Sequence, residues 1–217
     1  MTRALLGLGL LLALAVPVAA SAPSRPRDAH AVIERMIATN PTLVSYRARV
    51  HIAIHMLNFP YLSPQLDGTS YYKRPGAYEV VFDRVPFYMK GFSRLFEDVG
   101  DAATWEREQN VVLLGTREGD GRPLLLLRMT KKIHSDILDY TDAYVDAQTY
   151  ELSRMEWHYH SGGTIVISQS YREQRGYSIP AGEHASIDIP HVRAVGDVTY
   201  DSYQLNVAVS QAIFSTP

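Results

Sequence analysis

The chain has 217 residues, with 21 Lys and Arg against 23 Asp and Glu, a formal charge of −2, and no cysteine. That balance excludes a strongly basic nucleic-acid binder. The missing Cys excludes a disulfide scaffold, a Cys-ligated zinc or iron–sulfur site, a Cys nucleophile and the acylation point of a bacterial lipoprotein.

Residues 1–22 read as a secretory signal: Arg3 in a short basic start, an apolar run over 4–16, then Pro17 and a small-residue zone. Val18-Ala19-Ala20 places small residues at −3 and −1, so cleavage is expected after Ala20; cleavage after Ala22 would leave Pro23 next. The apolar run is shorter than the roughly 18–20 residues a spanning helix needs. Removing residues 1–20 takes one Arg and no acid, leaving a charge of −3. A periplasmic or secreted protein, soluble after cleavage, is expected. Residues 21–27 form a flexible lead-in, and 28–217 form one domain, since 46% hydrophobic and 20% charged residues describe a folded chain.

Asp28 is a plausible N-cap for a helix over 28–39, with Val32, Ile33, Met36 and Ile37 on one face and Asn40-Pro41 stopping it. Strands dominate from there. Residues 46–56 alternate, with Val50, Ile52, Ile54 and Met56 on one face and Arg49, His51, Ala53 and His55 on the other. Strands follow over 69–73 and 77–84, the second with Tyr78, Val80 and Phe82 facing one way. After Pro86, Met89, Phe92, Leu95, Phe96 and Val99 recur at helical spacing, which predicts an amphipathic helix over 87–99 with Gly91 as its weak point. Strands at 111–116 and 123–129 flank a Gly/Asp turn. Residues 134–140 read as a turn of helix or a loop. Strands over 144–145, 152–160, 164–171, 185–189 and 198–206 complete the chain. Helix–strand alternation is missing, so the expected class is α+β: an antiparallel meander of nine or ten strands with one or two helices.

No nucleotide-binding glycine loop, Gly-x-Ser-x-Gly elbow or His-Glu-x-x-His motif occurs. His158 and His160 share a strand face with Glu156, a weak candidate metal pair; the opposite face carries Met155, Trp157 and Tyr159. Asp136 and Asp139 near His134 sit in a polar connector with nothing to place them in a pocket. The conspicuous feature is the load of 14 Tyr, 6 Phe, 2 Trp and 6 Met. Most must build a core. One sheet with little helix covers its face poorly, however, and a curved sheet around a short aromatic helix leaves room for an apolar cavity.

Asp67-Gly68-Thr69-Ser70-Tyr71-Tyr72-Lys73-Arg74-Pro75-Gly76-Ala77-Tyr78 resembles the Gly-x-x-x-x-Lys-Arg-Pro strand and turn of the LolA-like outer-membrane lipoprotein carriers, the lipoprotein-sorting proteins. The helix ending at Asn40-Pro41 resembles that family's first helix leading into strand one. Val145-Asp146 with Tyr150-Glu151-Leu152, Gly162-Gly163 and Tyr177-Ser178-Ile179-Pro180 are similar in order to its later segments.

The resemblance implies a strongly curved, incomplete antiparallel barrel whose concave side is covered by helices. It also implies a cavity for a lipid or for lipoprotein acyl chains, and a lid latch at Arg74. With helices over 28–39 and 87–98 as the lid, Tyr78, Val80, Phe82, Met89, Phe92, Leu95, Phe96, Met155, Trp157 and Tyr159 are the expected lining. The implied protein is a monomeric, non-enzymatic carrier without cofactor, handling a lipid or acylated lipoprotein between membrane donor and acceptor proteins and binding no nucleic acid. The family's aromatic-rich Trp-x-Tyr-x-Pro string after strand three is absent, so a remodelled lid is expected. The alternatives are a periplasmic sensor or interaction module of the RseB type and, behind it, a metal-dependent hydrolase using His158 and His160.

Overall fold

The structure is a computed structural model that describes residues 28–59, 61–85, 102–119, 121–133, 135 and 137–215. The signal segment and the helix expected over 87–99 lie outside the described residues, as do His134 and Asp136.

Helix α1 spans Ala29–Ala38, and Asp28 caps it by accepting from the Ala31 N–H at 2.9 Å. A second helix, α2, spans Ala102–Glu108. Ten strands follow one another in chain order: β1 Ser45–Met56, β2 Gln65–Lys73, β3 Ala77–Phe82, β4 Gln109–Gly119, β5 Arg122–Lys131, β6 Leu138–Asp146, β7 Leu152–Tyr159, β8 Thr164–Gln174, β9 Tyr177–Ile189 and β10 Val192–Leu205. A short 3-10 helix, Gln211–Ser215, follows β10. All ten strands form one antiparallel sheet in the order β3-β2-β1-β10-β9-β8-β7-β6-β5-β4. β3 and β4 are its edges and no ladder joins them, so the sheet does not close into a barrel. Pairing of β1 with β10 joins the two meanders.

The alternation in β1 sorts as its sequence predicts: Val50, Ile52, Ile54 and Met56 are buried, and His51, Ala53 and His55 are exposed. In-facing residues meet in cross-strand rows. One row runs Phe82–Gly68–Val50–Tyr200, and the next runs Ile52–Val198–Glu183–Gln169. Gly68 is required where it stands: a Cβ there would lie 2.7 Å from the Val81 carbonyl oxygen. On the other half of the sheet Leu127, Met129, Val145 and Met155 are fully buried. Val32 and Ile33 of α1 and Trp105 of α2 join the same core, so both helices lie on the in-facing side.

Two expectations are corrected. Residues 138–140 belong to β6 and not to a turn of helix or a loop: Leu138 pairs with Tyr159 and Tyr140 with His158. The alternation is hidden in the sequence by Asp139 and Asp142, which face away from the core. β9 begins at Tyr177 and not at 185, because Pro180 and Gly182 look like breakers. A register shift opposite Ser170 and Tyr171 accommodates them.

The outer face is a charged lattice. Arg49 pairs with Asp83 at 2.8 Å, and His51 lies between Asp67 at 2.5 Å and Asp201 at 3.2 Å. The hydrogen bond to Asp67 raises the His51 pKa. Among the described residues, no helix is long and apolar enough to cross a membrane.

Trp105 is only 2% exposed and anchors the seven-residue α2. Trp105→Ala is expected to cost about 3–5 kcal/mol, read as a shift of the urea midpoint by circular dichroism. A change below about 1 kcal/mol would mean that α2 is not docked through this side chain.

Candidate functional site

Between the in-facing side of β1–β3 and β8–β10 and the two helices lies a cavity of about 670 Å³. This is within the range of small-molecule sites. Val50 and Ile52 of β1, Val80 and Phe82 of β3 and Val198 of β10 supply apolar wall; Tyr46, Tyr72, Tyr78 and Tyr200 supply rings. Met36, Ile37 and Asn40 at the end of α1 and Trp105, Arg107 and Glu108 of α2 complete it.

The end of α1 is fastened by side chains that reach main-chain atoms. Arg74, in the β2–β3 turn, donates from Nη1 to the Pro41 carbonyl at 2.8 Å and from Nη2 to the Asn40 carbonyl at 2.7 Å. The planar guanidinium fork allows both bonds at once. Asn40 mimics a strand residue toward β9: its Nδ2 donates to the Ser178 carbonyl at 2.6 Å, and its Oδ1 accepts from the Ser178 N–H at 3.0 Å. Further along α1, Arg35 donates to the Tyr150 hydroxyl. His30 pairs with Glu106 of α2 at 2.8 Å. The two Asn40 bonds are neutral and worth about 0.5–1.5 kcal/mol each net, and those donated by Arg74 and Arg35 have a charged donor and reach about 1.5–3 kcal/mol, so the helix is held by a few separable bonds.

The wall also holds a carboxyl, Glu183 of β9. Its Oε1 accepts from the Tyr200 hydroxyl at 3.0 Å and from Gln169 Nε2 at 3.1 Å. Behind these, the Tyr171 hydroxyl donates to Gln169 Oε1 at 2.8 Å, and the Tyr78 and Tyr200 hydroxyls are 3.3 Å apart. Among the described residues no cation pairs with Glu183. Burial raises its pKa, against the pull of the Tyr200 and Gln169 hydrogen bonds. Burial also pushes Tyr78 up to about 12 and Tyr46 and Tyr200 well above the usual phenol value, so these rings are neutral.

Of the residues predicted to line a cavity, Tyr78, Val80 and Phe82 are in its wall. Met155 and Trp157 face the same side of the sheet but are packed in the core, at 2% and 4% exposure, away from the open space. Tyr159 packs half-buried against that core. Met89, Phe92, Leu95 and Phe96 lie outside the described residues. Sequence reasoning passed over Val50, Ile52, Tyr200 and above all Glu183. The signal for Glu183 was its parity with Ala185 and Ile187, an acid on the apolar side of an alternation.

His158 and His160 do not converge. His158 stacks on Tyr140 with centroids 4.3 Å apart, whereas His160 pairs with Asp139 and reaches the Ser135 carbonyl. Asp142, Glu156 and His158 do bring ligand atoms within 4.8 Å on the outer face. Both Asp142 oxygens, however, already take the Arg128 fork, at 2.8 and 2.7 Å. This group is an ion-pair ladder across β5–β7, with Arg128 also lying 3.9 Å from the Tyr140 ring centre.

No family model and no curated protein matches the sequence. Solved structures do. The chain is similar to a protein from Vibrio parahaemolyticus described as an outer membrane lipoprotein-sorting protein domain, with TM-score 0.66, 9% identity and 85% of this chain and 94% of that one covered. It is similar to a LolA superfamily protein from Nitrosomonas europaea, with TM-score 0.59, 13% identity and 88% and 99% coverage. It is also similar to a DUF1329 family protein from Desulfovibrio piger, with TM-score 0.64, 12% identity and 86% and 96% coverage. At these identities the likeness is one of fold, and the fold is LolA-like.

A raised carboxyl pKa has a definite effect on stability. The folded state binds the Glu183 proton more tightly than the unfolded chain, so this stabilisation is complete below the ordinary Glu value and is lost as pH rises through the raised one. Glu183→Gln removes that loss. The variant is expected to gain stability relative to the parent as pH rises, with the two converging at about pH 4 and below. Urea midpoints across pH measure this; parallel curves would show that Glu183 titrates normally.

Proposed function

We propose that this protein is an extracytoplasmic, non-enzymatic carrier, freed by cleavage after Ala20, that holds a lipid or the acyl chains of a lipoprotein and delivers them across the cell envelope. The observation that carries this reading is the cavity of about 670 Å³ between an apolar sheet face and two short helices. The fold it shares with a lipoprotein-sorting domain and a LolA superfamily protein supports the same reading. Arg74 is the natural latch, because its two bonds to the chain just beyond α1 link the wall of the cavity to its cover.

The energetics suit reversible holding. Each buried methylene of an acyl chain contributes about 0.8 kcal/mol, so a chain of ordinary length binds without any directional contact. A cover held by a few hydrogen bonds opens at modest cost, and release then depends on an acceptor that binds the chain better. Donor and acceptor proteins at the two membranes belong to this reading.

The direct test is native mass spectrometry with lipid extraction on the mature protein, purified without detergent from its own cell envelope. A defined lipid or acylated protein at about one per chain is expected. A bare chain that takes up nothing from envelope extract would overturn the proposal and leave the aromatic residues as core alone.

Arg74→Leu tests the latch. Folding should be retained and release of a bound lipid to acceptor vesicles should speed up by roughly tenfold, the equivalent of about 1.4 kcal/mol. If neither loading nor release changes, Arg74 holds no latch.

A further inference from the structure

An ionisable group in the wall of a lipid site is costly unless something meets it. Glu183 is such a group, and its surroundings define what is missing. The Tyr200 proton is spent on Glu183 Oε1, so across the 3.3 Å contact Tyr78 must donate to Tyr200. Gln169 also donates to Oε1, and Tyr171 donates to Gln169. The hydroxyl protons of Tyr78, Tyr171 and Tyr200 and one N–H of Gln169 therefore run toward one carboxyl oxygen. The other, Oε2, takes no hydrogen bond among the described residues, and Glu183, Gln169, Tyr78 and Tyr200 all stand in the cavity wall. What the cluster shows the cavity is an acceptor without a donor.

We propose that Glu183 reads the polar end of the bound molecule, its free Oε2 accepting an N–H from an amine carried on an apolar chain. The cavity thereby selects amino-headed amphiphiles over carboxylate-headed ones and over simple esters. This rests on the reading of the cavity as a lipid site. The groups that face Glu183 are Tyr46 of β1, Tyr78 of β3, Tyr171 of β8 and Tyr200 and Tyr203 of β10, all phenols held neutral by burial. None supplies a positive charge. A carboxylate or phosphate head beside Glu183 would meet a like charge with which no cation pairs among the described residues, since the cavity's Arg74 is taken up by the Asn40 and Pro41 carbonyls and Arg107 by Glu108, whereas an ammonium supplies the counter-ion itself. Two donors already on Oε1 favour the ionised carboxyl once that cation arrives. The same chemistry explains why an acid is tolerated on an apolar face: the ligand completes the pair.

The test is calorimetric titration of the mature protein with dodecylamine, dodecanoate, methyl dodecanoate and butylamine, each below its aggregation limit. Dodecylamine is expected to bind about tenfold or more tightly than dodecanoate and the ester, the gain of one charge-assisted hydrogen bond. Butylamine should not bind measurably, because the chain supplies most of the affinity. Glu183→Gln, which keeps shape and one acceptor oxygen but replaces the other by an uncharged N–H donor, should reduce the amine preference to less than about threefold. Tyr200→Phe, which removes a donor from Oε1, should reduce it partially. The preference for dodecylamine over methyl dodecanoate should also grow in the parent as pH rises above the ordinary Glu range and stay flat in Glu183→Gln.

Equal binding of the three long-chain compounds in parent and variant would leave the carrier reading standing and overturn the role of Glu183. Preference for dodecanoate or the ester would overturn it as well. Butylamine binding as tightly as dodecylamine would show a site for free amines and overturn the requirement for a chain. If no long-chain compound binds, the carrier reading falls and this inference falls with it.

Discussion

A ten-stranded open sheet has one apolar face far larger than the two short helices among the described residues can cover. That mismatch governs the rest of the molecule. Over β4–β7 the problem is solved by packing, with Leu127, Met129, Met155 and Trp157 closed into a dry core together with Trp105 and the buried face of α1. Over β1–β3 and β8–β10 it is not fully solved, and the uncovered area becomes the wall of the cavity. The same alternation of side chains produces both regions. Whether an in-facing residue ends in core or in wall depends on which helix lies over it.

Helix α1 is attached in two ways. Val32 and Ile33 bury apolar surface in the core, while the segment after the helix is held by Arg74 and Asn40 through main-chain carbonyls and amides. Such bonds specify position without depending on the identity of the residues they hold. They are also individually small. A cover built in this way keeps its place in the resting state and can still yield to a competing partner, which a cover sealed entirely by apolar packing would do less readily.

Glu183 and its ring of phenols introduce chemistry into a site that alternation alone would make uniform. The network is satisfied on one oxygen and open on the other. Burial works against the charge of this carboxyl in the free protein, while the Tyr200 and Gln169 hydrogen bonds favour it. In the reading proposed above, the remaining compensation comes from what enters the cavity. Apolar burial would then set how strongly a chain is held, and the carboxyl would set which chain is preferred.

Residues with strict alternation were legible from the sequence: the two faces of β1, the in-facing Tyr78, Val80 and Phe82, the Met155 and Trp157 pair, and the helix capped by Asp28. Local periodicity suffices there, because each residue's direction follows from its parity in the strand or helix. Arg74 is singled out through the resemblance of the Gly68–Pro75 string to the LolA-like carriers, not through local periodicity. Two kinds of information were not local. Pro180, Gly182 and Asp139 disguise the starts of β9 and β6, since the strands at those points are upheld by their neighbours' ladders and not by their own propensity. The approach of Tyr78 to this cluster depends on the pairing of β1 with β10, strands more than a hundred residues apart in the chain, whereas Gln169 and Tyr200 reach Glu183 from neighbouring strands 14 and 17 residues away. Where parity is unbroken, the direction of a side chain can be read along its own strand or helix. Which inward side chains meet one another and which meet open space follows from cross-strand register and from where the two described helices lie, and neither is local to any one segment.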